Sequence, residues 1–512
     1  MAENVQEHDK QVLHKLGYAQ ELARRMSLFS NFAISFSIIC IIAGGITAFP
    51  VALSAGGGFS VAIGWLFGGA IAMIVAFAMG QIASAFPTAG GLYHWGSILG
   101  GKAWGWATAW LNLLGLIFVV SSVDFGVYLL FKDLFLGTAL GMDVSGWGAM
   151  HQSIIIGLLL ISQALFNHYG IKLTTRLTDF SGYLILVVAV VLTLALLAFS
   201  PVALDFSRLF TFTNFTGDAG GGVFPIRTEV ASFAFLLGLL YVCYTITGFD
   251  ASAHTSEETH DAQVNVPKGM WTAVLWSWLP GLVMVSTFVL VLPSVEEGAA
   301  TGWGSFYYML GASRMPSALL IFLAAGIVLA NYLCALAGLT STSRMMFAFA
   351  RDGGLPASGF LSHINTIYRT PTYAIWTASV IAFLSTLYAN AFVVLATGCA
   401  VFLYLSYAMP VAAGLLAEGK TWKEKGPFNL GAWSKPVGVV AVIGAIVLAI
   451  TGFFPPNQKV FYLTVAMVVV MVILWYAMER NRFEGVPMGD KIAQRQKLIA
   501  EIEAKYKDSA AD

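Results

Sequence analysis

The chain has 512 residues, of which 58% are apolar and 11% charged, and its 27 basic and 27 acidic side chains leave no formal net charge. A mean hydropathy of +0.77 excludes an ordinary water-soluble globule, and the absence of a basic excess removes the electrostatic footprint of a nucleic-acid binder. What remains is an integral membrane protein whose main partner is the lipid bilayer.

The first residues, MAENVQEHDKQVLHKLGYAQELARR, are polar and show no cleavable signal, so 1–28 reads as a cytoplasmic tail. From Ser27 to Gly100 there is no Asp, Glu, Lys or Arg, which leaves room for two crossings of about 20 residues each. Cutting the chain at polar and Gly/Pro-rich punctuation gives twelve apolar segments. Segments 1 to 6 are 29–53, 60–85, 104–130, 151–169, 179–200 and 230–253. Segments 7 to 12 are 270–293, 318–342, 372–389, 391–416, 437–454 and 459–478. Twelve crossings put both termini on one side. With that side cytoplasmic, 22 Lys and Arg face the cytoplasm and five the other side, as the positive-inside rule requires.

Two segments carry interruptions. Segment 1 reads IIAGGITAFP, with Ala43, Gly44 and Gly45 at mid-depth and Pro50 about one and a half turns later. Segment 6 reads LLYVCYTITGFDASAHTSEETH, with Thr245, Thr247, Gly248 and then Asp250. A backbone break inside a bilayer is tolerated only against protein or a watery cavity. Breaks in segments five apart are the sequence pointer to a midplane site between inverted repeats. Freed N–H groups and half-helix N-termini attract a carboxylate, freed carbonyls an ammonium. The plainer reading of each glycine pair alone is close helix packing.

Inside the segments two acids stand out, Asp124 in FVVSSVDFGVYLL of segment 3 and Asp250 in segment 6. A carboxylate at mid-depth costs roughly 2.5–3.5 kcal/mol, so each needs a partner or a job such as carrying a proton or gating. Asn331 in segment 8 is a further candidate, equally readable as packing glue. Glu257 and Glu258, at the cytoplasmic end of segment 6, are expected to cap or to pair with the loop around Arg344 and Arg351 rather than to touch substrate. The four cysteines (Cys40, Cys243, Cys334, Cys399) lie in apolar runs without metal-ligand spacing and read as packing residues. Of eight histidines, His8, His14, His260 and His363 fall in tails or loops. His94, His151, His168 and His254 lie near segment ends, where a surface position is the default. No cofactor or metal is expected, and without paired intramembrane histidines a haem or quinone enzyme is disfavoured. The tail ends in KIAQRQKLIAEIEAKYKDSAAD, an amphipathic helix that is either solvated or docked.

The stretches IIAGGITAFPVALSAGG, SAFPTAGGLYHWGSILGG, GFDASAHTSEETHDAQVNVPKGM and TSTSRMMFAFARDGGLP resemble successive signatures of the amino acid-polyamine-organocation transporter superfamily. Within it, FPTAGGLYHW paired with GFDASAH is similar to the amino acid/choline transporter family, which includes GABA permeases. The resemblance implies an all-α fold of twelve transmembrane helices. Five-plus-five inverted repeats would fill 29–417 with segments 1 and 6 discontinuous, followed by segments 11 and 12 in 418–478 and a cytoplasmic tail, 479–512. It implies a substrate site between segments 1, 3, 6, 8 and 10. Carried over by position, Ile41, Ala43, Gly44 and Gly45 would hold a substrate carboxylate, Tyr244 would act as an aromatic lid, and Thr245, Thr247 and Gly248 would line the second break. Asp250 takes the place of an acidic gating residue. Gly338 stands where some members have a bulky aromatic, which suggests a roomier pocket. Ile185 stands where some members carry a lysine, and Cys334 and Ala335 where hydroxyls of a sodium site would be. The implied activity is secondary transport of an amino acid or an amine such as GABA across the inner membrane, coupled to H+ or by exchange. A polyamine or choline carrier of the same fold is the alternative. A major-facilitator carrier is disfavoured because the loop after segment 2 has one charge, and a channel because no continuous polar face is evident.

Overall fold

The computed structural model describes residues 2–387, 391–455 and 457–506; the last two residues expected in segment 9 and the end of the C-terminal tail, 507–512, lie outside the described residues. The described residues form helices and loops, with two isolated β-bridges, Met26 to Thr259 and Glu418 to Trp422. Ten of these helices are long and apolar enough to cross a membrane, and the shorter apolar helices Ala231–Thr245 and Thr372–Thr386 stand at segments 6 and 9. Large apolar side chains such as Leu158, Leu194, Val283 and Ile443 point outward. In water that would be a liability; in lipid it is the required surface.

Inside the bundle, segment 3 (Lys102–Leu129) runs along segment 10 (Ala391–Ala417) and segment 8 (Ser317–Arg351), and segment 7 (Ala262–Val291) runs along segments 1 and 2. Small residues set these approaches. A Cβ on Gly115 would lie 2.7 Å from Leu403 Cδ2, so glycine lets segments 3 and 10 pack closely. Segment 7 carries Pro267, whose ring removes the bond that would satisfy the carbonyl of Gln263. Ser84 Oγ of segment 2 donates to that carbonyl at 2.7 Å, so the kink is closed by a neighbour as a bilayer demands.

The boundaries around segments 1 and 2 differ from expectation. Segment 1 begins at Leu28, where Ser27 Oγ caps by accepting from Ser30 N at 3.2 Å, and its first half ends at Ile39. The break is a left-handed turn at Cys40 (φ 31°, ψ 81°), and Ile41–Thr47, including Ala43, Gly44 and Gly45, is helical. A second kink follows at Ala48, and Pro50 sits in the first turn of Phe49–Ala85, where its missing N–H is not needed. That helix is itself interrupted at Gly56 and Gly57 (φ 62°), so the corner between segments 1 and 2 falls there. A Cβ on Gly58 would meet Arg208 O at 2.1 Å: the loop after segment 5 lies tight on this corner. Segment 5 begins earlier than expected, at Ile171, which brings a third acid, Asp179, inside a helix, where Ser30 Oγ donates to it at 3.1 Å.

Both tails lie on one face. The C-terminal helix Asp490–Ala504 is docked: Arg495 Nη1 meets Asp352 Oδ1 at 2.8 Å, and Glu503 Oε1 lies 2.8 Å from His14 Nε2. Tyr18 donates to Asp352 Oδ2 at 2.7 Å beneath it.

Candidate substrate site at two broken helices

Segment 6 is helical over Ala231–Gly238 and Leu240–Thr245, then non-helical from Ile246 to Asp250, and resumes as the short helix Ala251–His254. Gly248 has φ +82°, a conformation L side chains resist. The break therefore falls at the expected residues. The first break falls one turn earlier than the glycines suggested, because Gly44 serves another purpose. A Cβ on Gly44 would lie 2.8 Å from Thr245 Cα and 2.6 Å from its Oγ1, so the two interrupted segments touch backbone to side chain at that point.

Each break is satisfied by a different neighbour. At the first, Asn331 Nδ2 of segment 8 reaches Ile42 O at 3.4 Å as well as Ile327 O at 2.8 Å, and Cys334 Sγ donates to Ile38 O at 3.2 Å. Tyr241 of segment 6 donates to Gly45 O at 3.0 Å. At the second, two tyrosines of segment 10 do the work: Tyr404 donates to Ile246 O at 2.8 Å, and Tyr407 OH accepts from Gly248 N at 2.9 Å. Thr247 Oγ1 lies 3.3 Å from the same Tyr407 hydroxyl. The tail-side halves are stitched together, with Ser35 Oγ donating to Phe249 O at 2.9 Å and Asn31 Nδ2 to Ser252 O at 3.0 Å. Thus all five expected segments converge here; segment 3 contributes Asn112 and Ser122.

Asp250 is buried and fully engaged. Tyr407 donates to Oδ1 at 2.9 Å, Asn112 Nδ2 donates to Oδ2 at 2.8 Å, and His254 Nε2 lies 3.2 Å from Oδ2. Asp124 is apart from this group. It takes a hydrogen bond of 2.7 Å from Gln163 of segment 4, and its buried Oδ2 has no hydrogen-bond partner among the described residues. Gly338 brings no extra room, since Val119 and Val120 each stand 3.3 Å from where its Cβ would be; it is a helix contact. Ile185 is buried.

Tyr244 lies beside the second break and donates to Ser122 Oγ at 3.3 Å. With Ala48, Leu240, Trp303 and Phe392 it lines a pocket of about 40 Å³. This adjoins a cavity of about 780 Å³ lined by Ile46, Thr47, Phe125, Trp303, Tyr307 and Phe392 among others. The cavity is on the face opposite the tails: segment 3 starts at Lys102, bonded to Arg480 O of the C-terminal tail, and the wider-wound helix Leu130–Ala139 that continues it reaches the cavity at Asp133 and Thr138. On the tail face the bundle is shut. Arg344 forms a two-pronged pair with Glu258 at 3.0 Å, both side chains wholly buried, and Arg351 pairs with Glu257 at 2.9 Å. Burial pushes the Glu257 carboxyl up, but the Arg351 charge and hydrogen bonds from Arg351 and Ala89 N outweigh it and hold it below the usual range. Asp352 likewise resists burial: the hydrogen bond from His94 and the charges of Arg495 and Arg351 hold it down to about 2.

The pairing of Glu257 and Glu258 with these arginines agrees with the sequence reading. The histidines do not all agree: His94 and His254 are wholly buried, not at a surface. Asn112, Tyr404, Tyr407 and His254 are the residues sequence reasoning missed. Among the described residues no cluster of His, Cys, Asp and Glu is placed to hold a metal.

Two interrupted helices side by side within a bundle of membrane-length helices, next to a cavity, define a membrane transporter. Comparison with known proteins agrees. The family model described as amino acid permease matches residues 26–477. The amino-acid permease BAT1 of Arabidopsis thaliana is 33% identical over 92% of this chain and 95% of its own length. Its homolog in Oryza sativa subsp. japonica is 32% identical over 92% and 94%. The GABA-specific permease of Saccharomyces cerevisiae is 26% identical over 88% of this chain and 79% of its own. The chain belongs to the amino acid permease family and is a transporter, not an enzyme.

Proposed function

We propose that this permease carries an amino acid or a closely related amine such as GABA across the cytoplasmic membrane by alternating access, driven by a proton gradient. In this reading segments 1 to 10 form a five-plus-five inverted-repeat core with segments 11 and 12 appended, twelve crossings in all, and both tails are cytoplasmic. The observation that carries it is the contact of the two interrupted segments at Gly44 and Thr245, each within one turn of its break, beside a cavity open opposite the tails. The amides at Ile41 and beyond receive the substrate carboxylate, the carbonyls around Thr245 and Thr247 receive the ammonium, and Tyr244 closes over both. A zwitterion is favoured over a bare organocation because Asp250, the acid at the break, has both oxygens engaged by protein donors and is not free to serve as a counter-ion. Asp250 and Asp124 are the proton-coupling candidates, and the buried Arg344–Glu258 and Arg351–Glu257 pairs form the tail-side gate.

The test is uptake into proteoliposomes with pH and sodium gradients imposed separately, with unlabelled amino acids, GABA, a polyamine and choline as competitors. Uptake that follows the pH gradient and is displaced by an amino acid or GABA is the expected result. Accumulation that follows sodium alone, or displacement only by choline or a polyamine, contradicts the proposal.

A further inference from the structure

We infer that His254 and Asp250 together hold one transferable proton, so that His254 is the second half of the coupling site. This rests on the transporter reading above and deepens it.

The inference comes from counting hydrogen-bond donors. His254 lies one helical turn after Asp250, with its ring wholly buried. Its Nδ1 is 3.2 Å from Ala89 O, a backbone carbonyl that can only accept. Its Nε2 is 3.2 Å from Asp250 Oδ2, which when ionised also only accepts. A neutral imidazole has one N–H and can serve one of these two. The other contact would set lone pair against lone pair at a wholly buried ring. Both contacts are made only when the pair has one more proton, as imidazolium with carboxylate or as Nδ1–H imidazole with a carboxylic acid. The two forms have the same net charge and interconvert by moving that proton between Nε2 and Oδ2.

His94 provides the internal contrast. It too faces an aspartate, Asp352 Oδ2 at 3.2 Å from Nε2, but its Nδ1 faces Thr88 Oγ1 at 2.6 Å, a hydroxyl that can donate. A neutral Nε2–H imidazole satisfies both, and burial lowers the proton affinity of that ring. The extra proton is required at His254 and not at His94.

The surroundings suit a proton that comes and goes. From segment 10 Tyr407 donates to Asp250 and Cys399 is the other titratable neighbour; from segment 3 Asn112 donates to it; from the turn after segment 2 Ala89 presents its carbonyl. The charges on the next turn, Glu257 and Glu258, are matched by Arg351 and Arg344 of segment 8. Among the described residues no fixed cation thus contacts Asp250, and losing the proton leaves one uncompensated negative charge beside the second break. That break reads the change through Tyr407, whose hydroxyl binds Gly248 N, Thr247 Oγ1 and Asp250 Oδ1 together. Ala89 is fixed on the tail face by its own N–H to Glu257 Oε1 at 3.0 Å. Opening of that face separates His254 from Ala89 and admits water. The N–H or O–H bond then breaks, its electron pair stays on the pair, and the proton passes to water on the tail side. One proton bound from water on the cavity side completes the cycle.

The full-length chain is reconstituted with radiolabelled GABA and alanine as probes, and two activities are compared: exchange without a gradient, and net uptake driven by an inward proton gradient, with proton flux followed by an entrapped pH dye. His254→Gln and Asp250→Asn should each lower the ratio of gradient-driven uptake to exchange at least tenfold and flatten the pH profile of what remains. An unchanged ratio and pH profile in His254→Gln overturns the inference. A second measurement needs no variant. Nuclear magnetic resonance on wild-type chain labelled with ¹⁵N-histidine and ¹³C-aspartate selects the imidazoles next to aspartate carboxyls, and the two are told apart by tautomer. At neutral pH one should be Nε2–H and neutral, the other Nδ1–H with a second proton shared with its carboxyl. Two neutral rings beside two ionised carboxylates would overturn it, whatever the variants do. Wild-type chain that exchanges neither probe nor any competitor would instead sink the transport reading.

Discussion

Gly44→Ala is the sharpest perturbation of the site. The added Cβ falls 2.8 Å from Thr245 Cα, against the 3.4 Å at which ordinary contact begins, so segments 1 and 6 must part by about 0.6 Å where they touch beside their breaks. Backbone cannot rotate out of the way as a side chain can. Overpacking of this kind costs about 1–3 kcal/mol, and if the strain falls on the binding-competent state it weakens substrate affinity about 5- to 150-fold at 1.4 kcal/mol per decade. Gly45→Ala is the control one residue on. Its Cβ would meet Met284 Cε at 3.0 Å, the far end of a flexible side chain, and nothing else closer than 3.9 Å, so affinity should change twofold or less. Both variants are purified, their thermal unfolding is checked, and substrate affinity is measured by radioligand binding. Gly44→Ala binding as tightly as wild type, or Gly45→Ala proving the more harmful of the two, would refute the claim that the two interrupted segments are in contact at Gly44.

Three other outcomes follow from the geometry. Tyr407→Phe removes the partner of Gly248 N and a donor to Asp250; a hydrogen bond to a charged group contributes about 1.5–3 kcal/mol, so gradient-driven uptake should fall 10- to 100-fold in an initial-rate assay. Arg344→Met strands Glu258 in the bundle, and breaking a buried ion pair costs about 3–5 kcal/mol; unfolding temperature should drop sharply, and the double variant with Glu258→Leu should recover most of it. The third concerns acid. The Asp352 carboxyl is held from 3.8 down to about 2 in the folded chain, so its contribution, about 2–3 kcal/mol at 1.36 kcal/mol per unit, is fully present above pH 4 and is lost as pH falls from about 4 to 2. Thermal unfolding recorded across that window should show the loss in wild type and a shallower slope in Asp352→Asn.

The segments, the second break and the acid–arginine pairs were readable because their signals are local: long apolar runs, a glycine flanked by hydroxyls, and charges left at helix ends. The first break was misplaced by one turn because glycine was read as the breaker. The left-handed turn is at Cys40, which carries no such signature and is sustained from afar, by Asn331 and Cys334 binding the carbonyls around it. His254 had a faint local signal, since Asp250 and His254 share a helix face four residues apart. Its burial depends on the turn at Ala89, which no periodicity reveals. Tyr404 and Tyr407 sit in an apolar run and read as core until their hydroxyls are seen to end on the second break. Gly338 misled in the opposite sense, because an empty side chain makes a pocket only if its neighbours leave it empty, and Val119 and Val120 do not. For the C-terminal tail, amphipathicity left solvated and docked forms equally open; Arg495 on Asp352 decides for docking.

The central claim is that the two neighbouring breaks grip the charged ends of a small zwitterion. An electron cryomicroscopy structure of the chain saturated with its transported amino acid tests it most directly. The account expects the solute between Gly44 and Thr247, its carboxylate on the amides that follow Cys40 and its ammonium on carbonyls of the segment 6 break, beneath Tyr244. Solute lodged only against Trp303 and Tyr307 in the outer cavity, or segments 1 and 6 running unbroken through the bilayer, would contradict it.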